Sequence, residues 1–138
     1  MRGGVTIEPR DHRDLGDPDT HILAQGGEIF MAELDGVPVG TCTLLRESNG
    51  SYELAKMAVS EAARGHGIGR RLANVVIARA KQRGLRQLEL YTNSVLEPAV
   101  ALYRSLGFVE APLESNEYGR ANMRMVLTLS PPDDSGPG

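Results

Sequence analysis

The spacing of apolar residues changes part-way along the chain. Up to Val59 they fall in short runs of strand length, separated by turn signals; beyond Ile68 they recur at helical intervals before alternating again. Val5 to Glu8 forms a short strand candidate. Pro9 to Gly27 is polar and interrupted by Gly16, Pro18 and Gly26-Gly27, leaving room for short helices at most. Glu28 to Leu34 and Val39 to Leu45 read as strands joined at Asp35-Gly36, a hairpin turn signal. Asn49-Gly50 is a second such turn, and Tyr52 to Val59 the next strand. Ile68, Leu72, Val75, Val76 and Ala80 then mark one face of a helix, with Lys81 and Arg83 at its C-terminal end and Gly84 as its stop. Leu88, Leu90 and Thr92 alternate as a strand. Pro98 opens a further helix with an apolar stripe of Ala99, Leu102, Tyr103 and Leu106, which Gly107 ends. Phe108-Val109 starts a strand, and Met123, Met125, Leu127 and Leu129 alternate along the last one. The strand–helix–strand unit implies one local parallel pairing within an otherwise antiparallel arrangement. The expected class is α+β, a mixed and mostly antiparallel central sheet with helices on both faces.

Composition narrows the picture. A chain of 138 residues suggests one domain, expected over 1–129. Residues 130–138 (Ser-Pro-Pro-Asp-Asp-Ser-Gly-Pro-Gly) read as a disordered tail. A net charge of −3 gives no basic footprint for nucleic acid. The single cysteine, Cys42, cannot form an internal disulfide, and no apolar run reaches the ~20 residues of a membrane span. A cytoplasmic protein without membrane partners is expected. Cys42 has no accompanying histidine or base pattern and reads as a buried small residue rather than a nucleophile.

The candidate chemistry centres on Arg64-Gly-His-Gly-Ile-Gly69, between the Tyr52–Val59 strand and the helix that follows. Closely spaced glycines let backbone approach a ligand, and a helix opening there presents unpaired N–H groups and its positive dipole end to an anion. Two nucleotide loops fail on the residues. A dinucleotide-binding Gly-x-Gly-x-x-Gly or a nucleotide Gly-x-x-x-x-Gly-Lys-Ser/Thr, begun at Gly65, would each need glycine where Arg70 stands. What remains is Arg-x-x-Gly-x-Gly.

Here a family resemblance becomes specific. Glu53 to Val59, followed after a short spacer by Arg64 to Leu72, resembles the acetyl-coenzyme-A signature of the GNAT acetyltransferase superfamily. Ala99-Val-Ala-Leu-Tyr-Arg-Ser-Leu-Gly-Phe108 resembles its second signature, and the likeness extends over roughly residues 28–129. The resemblance implies acetyl-CoA as acetyl donor. Backbone amides of Gly65, Gly67, Ile68, Gly69 and Arg70 would hold its pyrophosphate, Arg64 or Arg70 would add charge, and His66 would sit in the loop facing solvent. Backbone groups of Met57, Ala58 and Val59 would pair with the pantetheine arm. Asn93 would either bond the coenzyme arm or cap a turn.

An alkyl ammonium with pKa ~10.4 is neutral in about one part in a few thousand at pH 7, a handicap of roughly 4–5 kcal/mol, so the transfer needs a proton acceptor. Through the resemblance Glu53 is the candidate base and Tyr103 the candidate proton donor to the leaving thiolate. The helix-stripe position of Tyr103 also suits a core residue. Lys56 stands out within an apolar strand, either reaching solvent or pairing with Glu53. Tyr118, Arg120 and Asn122 either line the acceptor site or belong to a surface loop. No metal is implied. The family usually places two wall-forming helices where this chain has only residues 9–27. An acceptor pocket that is open, completed by a second subunit in a homodimer, or degenerate follows from that departure. The reading is therefore an N-acetyltransferase acting on a small-molecule amine or a peptide or protein amine by direct attack. The alternative is a non-catalytic acyl-CoA-binding domain.

Overall fold

The computed structural model describes residues 4–10, 17–113 and 121–129. It comprises two compact units, Met1–Ala78 and Arg79–Gly138. The tail at 130–138, Tyr118 and Arg120 lie outside the described residues.

In the first unit, β1 (Val5–Pro9), β2 (Glu28–Leu34), β3 (Val37–Arg46) and β4 (Tyr52–Val59) pair in that order, each antiparallel to the next. The β2–β3 turn is the two-residue one its sequence predicts. Asp35 and Gly36 both take positive φ (54° and 82°), the handedness that matches strand twist in a tight hairpin. β3 starts two residues earlier than its pattern suggests, because Val37 pairs with Leu34 and Pro38 with Glu33. Proline reads as a break, and the register does shift there, between Ala32 and Glu33. At Asn49-Gly50 the side chain of Asn49 accepts the Ser51 N–H at 2.9 Å while Gly50 takes φ 91°.

Helix α1 (Asp17–Ala24) is the one helix of the described part of the polar N-terminal segment. The chain leaves it through Gly26 (φ 96°) and Gly27, whose N–H bonds the Ile22 carbonyl at 3.0 Å. Helix α2 (Ile68–Gln82) opens in this unit. Gly40 of β3 lets it approach: a Cβ there would lie 3.1 Å from Leu72 Cδ1 and 3.3 Å from Ile68 Cγ2. Phe30, Ala32, Cys42, Leu44, Ile68 and Leu72 are buried in this unit's core.

The second unit holds the last turn of α2, which Gly84 (φ 77°) terminates. β5 (Gln87–Thr92), α3 (Glu97–Ser105), β6 (Val109–Ala111) and β7 (Met123–Thr128) follow. The strand order is β5-β7-β6, both pairings antiparallel. Pro98 stands in the first turn of α3 and Gly107 (φ 106°) follows its end. Phe108 belongs to the core rather than to β6: it is buried and meets the Tyr103 ring edge-on, centroids 6.0 Å apart. Leu88, Leu90, Met125 and Leu129 complete the core of this unit.

Candidate active site

The glycine loop is built as its residue types require. A 3-10 turn (Glu61–Ala63) leads from β4 into it. Gly65 and Gly67 take φ 88° and 73°, and a Cβ at either would meet nothing within 4 Å. Glycine is needed there for conformation, and the space above the backbone is open to a ligand. The first intrahelical bond of α2 runs from the Arg71 N–H to the Gly67 carbonyl at 3.1 Å. The N–H groups of Ile68, Gly69 and Arg70 thus precede the helical ladder. The first turn carries no acid and two arginines, Arg70 and Arg71. Positive charge at the positive end of a helix dipole is unfavourable unless an anion joins it. Arg71 is partly engaged, donating to the Val5 carbonyl at 3.1 Å. Arg64, His66 and Arg70 are exposed, whereas Ile68 is buried and fixes the helix start.

β4 supplies the second group of residues. Half-buried Glu53 stands opposite Leu45 of β3. Further along the pairing slips: Ala55 faces Thr43, but Ala58 faces Thr41, so Lys56 and Met57 together oppose Cys42. This is a β-bulge, one extra residue on β4. Lys56 takes φ 55°, a conformation that L-residues rarely adopt, and its side chain is exposed. The bulge explains how a lysine fits within an apolar strand. Behind it, Cys42 is fully buried with its Sγ 3.8 Å from the Ala55 carbonyl. Burial pushes the thiol pKa up to about 12, against a weaker lowering by a backbone hydrogen bond at Thr43. Cys42 is therefore a protonated core residue and not a nucleophile. Beyond the bulge, Met57 and Val59 are half-buried and Ala58 is exposed.

In the second unit, α3 carries Tyr103 buried to 8% exposure, its backbone carbonyl accepting the Phe108 N–H at 3.0 Å. Asn93 follows β5, and its Oδ1 accepts the Val95 N–H at 3.1 Å, which is the turn-capping role. Sequence reasoning missed the clamp beside it. The Asn122 N–H donates to the Thr92 carbonyl, Asn122 Oδ1 accepts the Ser94 N–H at 2.9 Å, and Asn122 Nδ2 lies 3.3 Å from Ser94 Oγ.

It also missed an ion pair within this unit. Arg124 Nε donates to Glu89 Oε1 at 2.8 Å, with the Tyr91 hydroxyl 3.4 Å from the same oxygen. Arg124 Nη1 reaches the Pro112 carbonyl at 3.3 Å. Burial works against the guanidinium charge, but the hydrogen bond and charge of Glu89 outweigh it and hold the Arg124 pKa above its ordinary value. Alternation on β5 and β7 puts polar residues at these positions, yet nothing local announces the pair. Among the described residues no cluster of His, Cys, Asp and Glu suits a metal, and no helix is long and apolar enough to cross a membrane.

Comparison with known proteins matches this arrangement. The model of the Acetyltransferase (GNAT) family matches residues 5–108. An uncharacterised N-acetyltransferase of Escherichia coli, YjgM, is 31% identical over 125 residues, 83% of this chain and 75% of that protein. An N-acetylaspartate synthetase of Danio rerio is 34% identical over 99 residues, 70% of this chain. The chain spans only about a third (35%) of that relative's length. A GNAT acetyltransferase from Elizabethkingia anophelis, solved with acetyl-CoA bound, shares the fold. Its TM-score is 0.68 at 23% identity, over 91% of this chain and 98% of that one. The class is thus the mixed, mostly antiparallel sheet with helices of acyl-CoA N-acyltransferases. Two compact units, the glycine loop at the head of α2 and the model match over most of the chain converge: the protein belongs to the GNAT acetyltransferase family.

Proposed function

We propose that this protein is an N-acetyltransferase that moves the acetyl group of acetyl-CoA onto a primary amine by direct attack. The observation that carries this reading is the head of α2: two positive-φ glycines with open space above them, and helix N–H groups that precede the hydrogen-bonded ladder beside exposed arginines. That combination suits a pyrophosphate. In this reading Gly65, Gly67, Ile68, Gly69 and Arg70 supply backbone donors, Arg64 adds charge, and His66 flanks the loop. Met57, Ala58 and Val59 take the pantetheine arm along β4.

The chemistry follows from protons. Glu53 removes one from the acceptor ammonium, directly or through water. The amine nitrogen bonds to the thioester carbonyl carbon, and the C–S bond breaks. Tyr103 gives its phenolic proton to the departing sulfur and regains one, through solvent, from the second proton that the nitrogen loses, leaving an N-acetyl amide and the free thiol of coenzyme A. Acetyl-CoA bound to a neighbour of the same fold supports the donor. A relative named for N-acetylaspartate synthesis supports an amino acid or related small amine as acceptor.

Thermal unfolding with acetyl-CoA, with ATP and NAD as controls, tests the donor. Ligand at ~100 times its dissociation constant adds about 2.7 kcal/mol. For a chain of this size that is several degrees. A rise in Tm with acetyl-CoA alone, followed by turnover in an amine panel, is the expected result. No shift at saturation would overturn the coenzyme site, and binding without turnover of any amine would leave a non-catalytic acyl-CoA-binding domain.

A further inference from the structure

Resting on the reading of Tyr103 as proton donor, we infer that Asn122 is a positioning residue for it. Its side chain pins the loop between β5 and α3 to the residue before β7, and so sets the angle at which α3 presents the phenol. The first observation is that apolar burial does not anchor this loop. Residues 93–96 join β5 to α3, and Val95 and Leu96 are 75% and 52% exposed. The head of the helix is held no better. Glu97 and Pro98 are exposed. Among the described residues Leu96 gives α3 no side-chain cap, and within the helix Tyr103 alone is buried.

Hydrogen bonds anchor the loop instead. Two of them are internal: Asn93 Oδ1 accepts the Val95 N–H at 3.1 Å, and the Asn93 carbonyl accepts the Leu96 N–H at 2.9 Å. These shape the turn without joining it to another strand. Asn122 makes that join from 28 positions away. Its Oδ1 accepts the Ser94 N–H at 2.9 Å, its Nδ2 donates to Ser94 Oγ at 3.3 Å, and its own N–H bonds the Thr92 carbonyl at 3.0 Å. An apolar residue at 122 would keep the last bond and lose the other two. Asn122 is exposed, so its side chain is not a core element.

Helix α3 is thereby held at two places, by the buried Tyr103–Phe108 ring pair toward its C-terminal end and by Asn122 ahead of its first turn. Leu96 and Tyr103 are seven residues apart, about 10 Å along the helix. Released at the head, α3 pivots about the ring pair and turns the phenol away from the sulfur. Proton transfer needs hydrogen-bond reach, and a displacement of about 1 Å costs up to roughly a hundredfold in rate.

The test is a double-mutant cycle in the full chain, reading kcat, the KM for acetyl-CoA and the Tm of each variant. Asn122→Ala deletes both bonds to Ser94 and keeps the backbone bond to Thr92, whereas Asn122→Asp keeps the acceptor for the Ser94 N–H. Asn122→Ala is expected to lower kcat about tenfold with the KM for acetyl-CoA near wild type, and Asn122→Asp to recover most of the loss. In a Tyr103→Phe background the same alanine should cost less than about twofold, because no phenolic proton is left to misplace. Should Asn122→Ala lose its fold, Ser94→Ala takes its place: it cuts only the Nδ2 contact, and kcat should fall about threefold, again only when Tyr103 is present. An equal loss in both backgrounds, an unchanged kcat, or a raised KM for acetyl-CoA with kcat intact would overturn the assignment. Wild-type kcat in Tyr103→Phe alone, or no turnover of any amine by the wild type, would overturn the proposed chemistry first and this inference with it.

Discussion

Tyr103 and Cys42 show how environment decides what a reactive side chain does. Tyr103 is buried against Phe108, so its ring would hold its place with or without a hydroxyl. That separates packing from proton donation. Tyr103→Phe is expected to lower kcat by about a hundredfold while leaving Tm and acetyl-CoA affinity near wild type. An equal fall in affinity and stability would make the ring a core element only. Cys42 is the converse case, reactive by type and inert by burial. Its folded pKa of about 12 lies above the ordinary 9.0, so the native state keeps a proton that the unfolded chain releases. Its contribution to stability is complete below pH 9 and is lost as pH rises toward 12, roughly 4 kcal/mol over the full range. Melting curves from pH 8 to 10.5 should show a steeper alkaline decline for wild type than for Cys42→Ala. The variant should keep its activity.

At the scale of elements, the head of α2 and the β5–β7 pair are held by different forces. The loop depends on backbone conformation. Gly67→Ala must carry a side chain at φ 73°, at a cost of about 1–2 kcal/mol, and places a methyl group where the phosphate is proposed to sit. Acetyl-CoA affinity measured by calorimetry should fall more than tenfold, well beyond the small loss in Tm.

The β5–β7 pair depends on a buried charge. Glu89→Ala leaves the Arg124 guanidinium uncompensated in a site where its side chain is only 17% exposed, a loss of about 3–5 kcal/mol. Chemical denaturation should show it, with Glu89→Gln less damaging because an acceptor remains. These two features also mark how far the sequence could be read. Asp35-Gly36, Asn49-Gly50, Gly84 and Gly107 announce themselves because a turn is a property of adjacent residues. The bulge at Lys56 is a slip in register between two strands, and Glu89 meets Arg124 across 35 positions. Neither has a local signal: Lys56 is only a charged residue in an apolar run, and Glu89 and Arg124 fall at polar positions of alternating strands. The conformation of the glycine loop was legible down to its residues, since the positive φ of Gly65 and Gly67 is a local property.

Across the whole molecule, charge is divided unevenly along the chain. Residues 61–86 hold seven of the fifteen basic residues, from Arg64 to Arg86, and one of the eighteen acids, Glu61. The rest of the chain is correspondingly acidic, although the net charge is only −3. A net value so near zero hides a positive segment that starts at the proposed phosphate loop and follows α2. Such a segment raises the local concentration of an anionic coenzyme, and the effect is screened once the Debye length shrinks from about 10 Å at 0.1 M salt toward 3 Å at 1 M. The KM for acetyl-CoA should therefore climb several-fold between 20 and 500 mM potassium chloride. A neutral or zwitterionic amine should show little change over the same range. Replacing Arg64 and Arg70 together by alanine should raise the KM at low salt and flatten its salt dependence, because exposed charges near the phosphates supply the steering. A salt response that survives both substitutions would move the attraction to the C-terminal half of α2, away from the glycine loop.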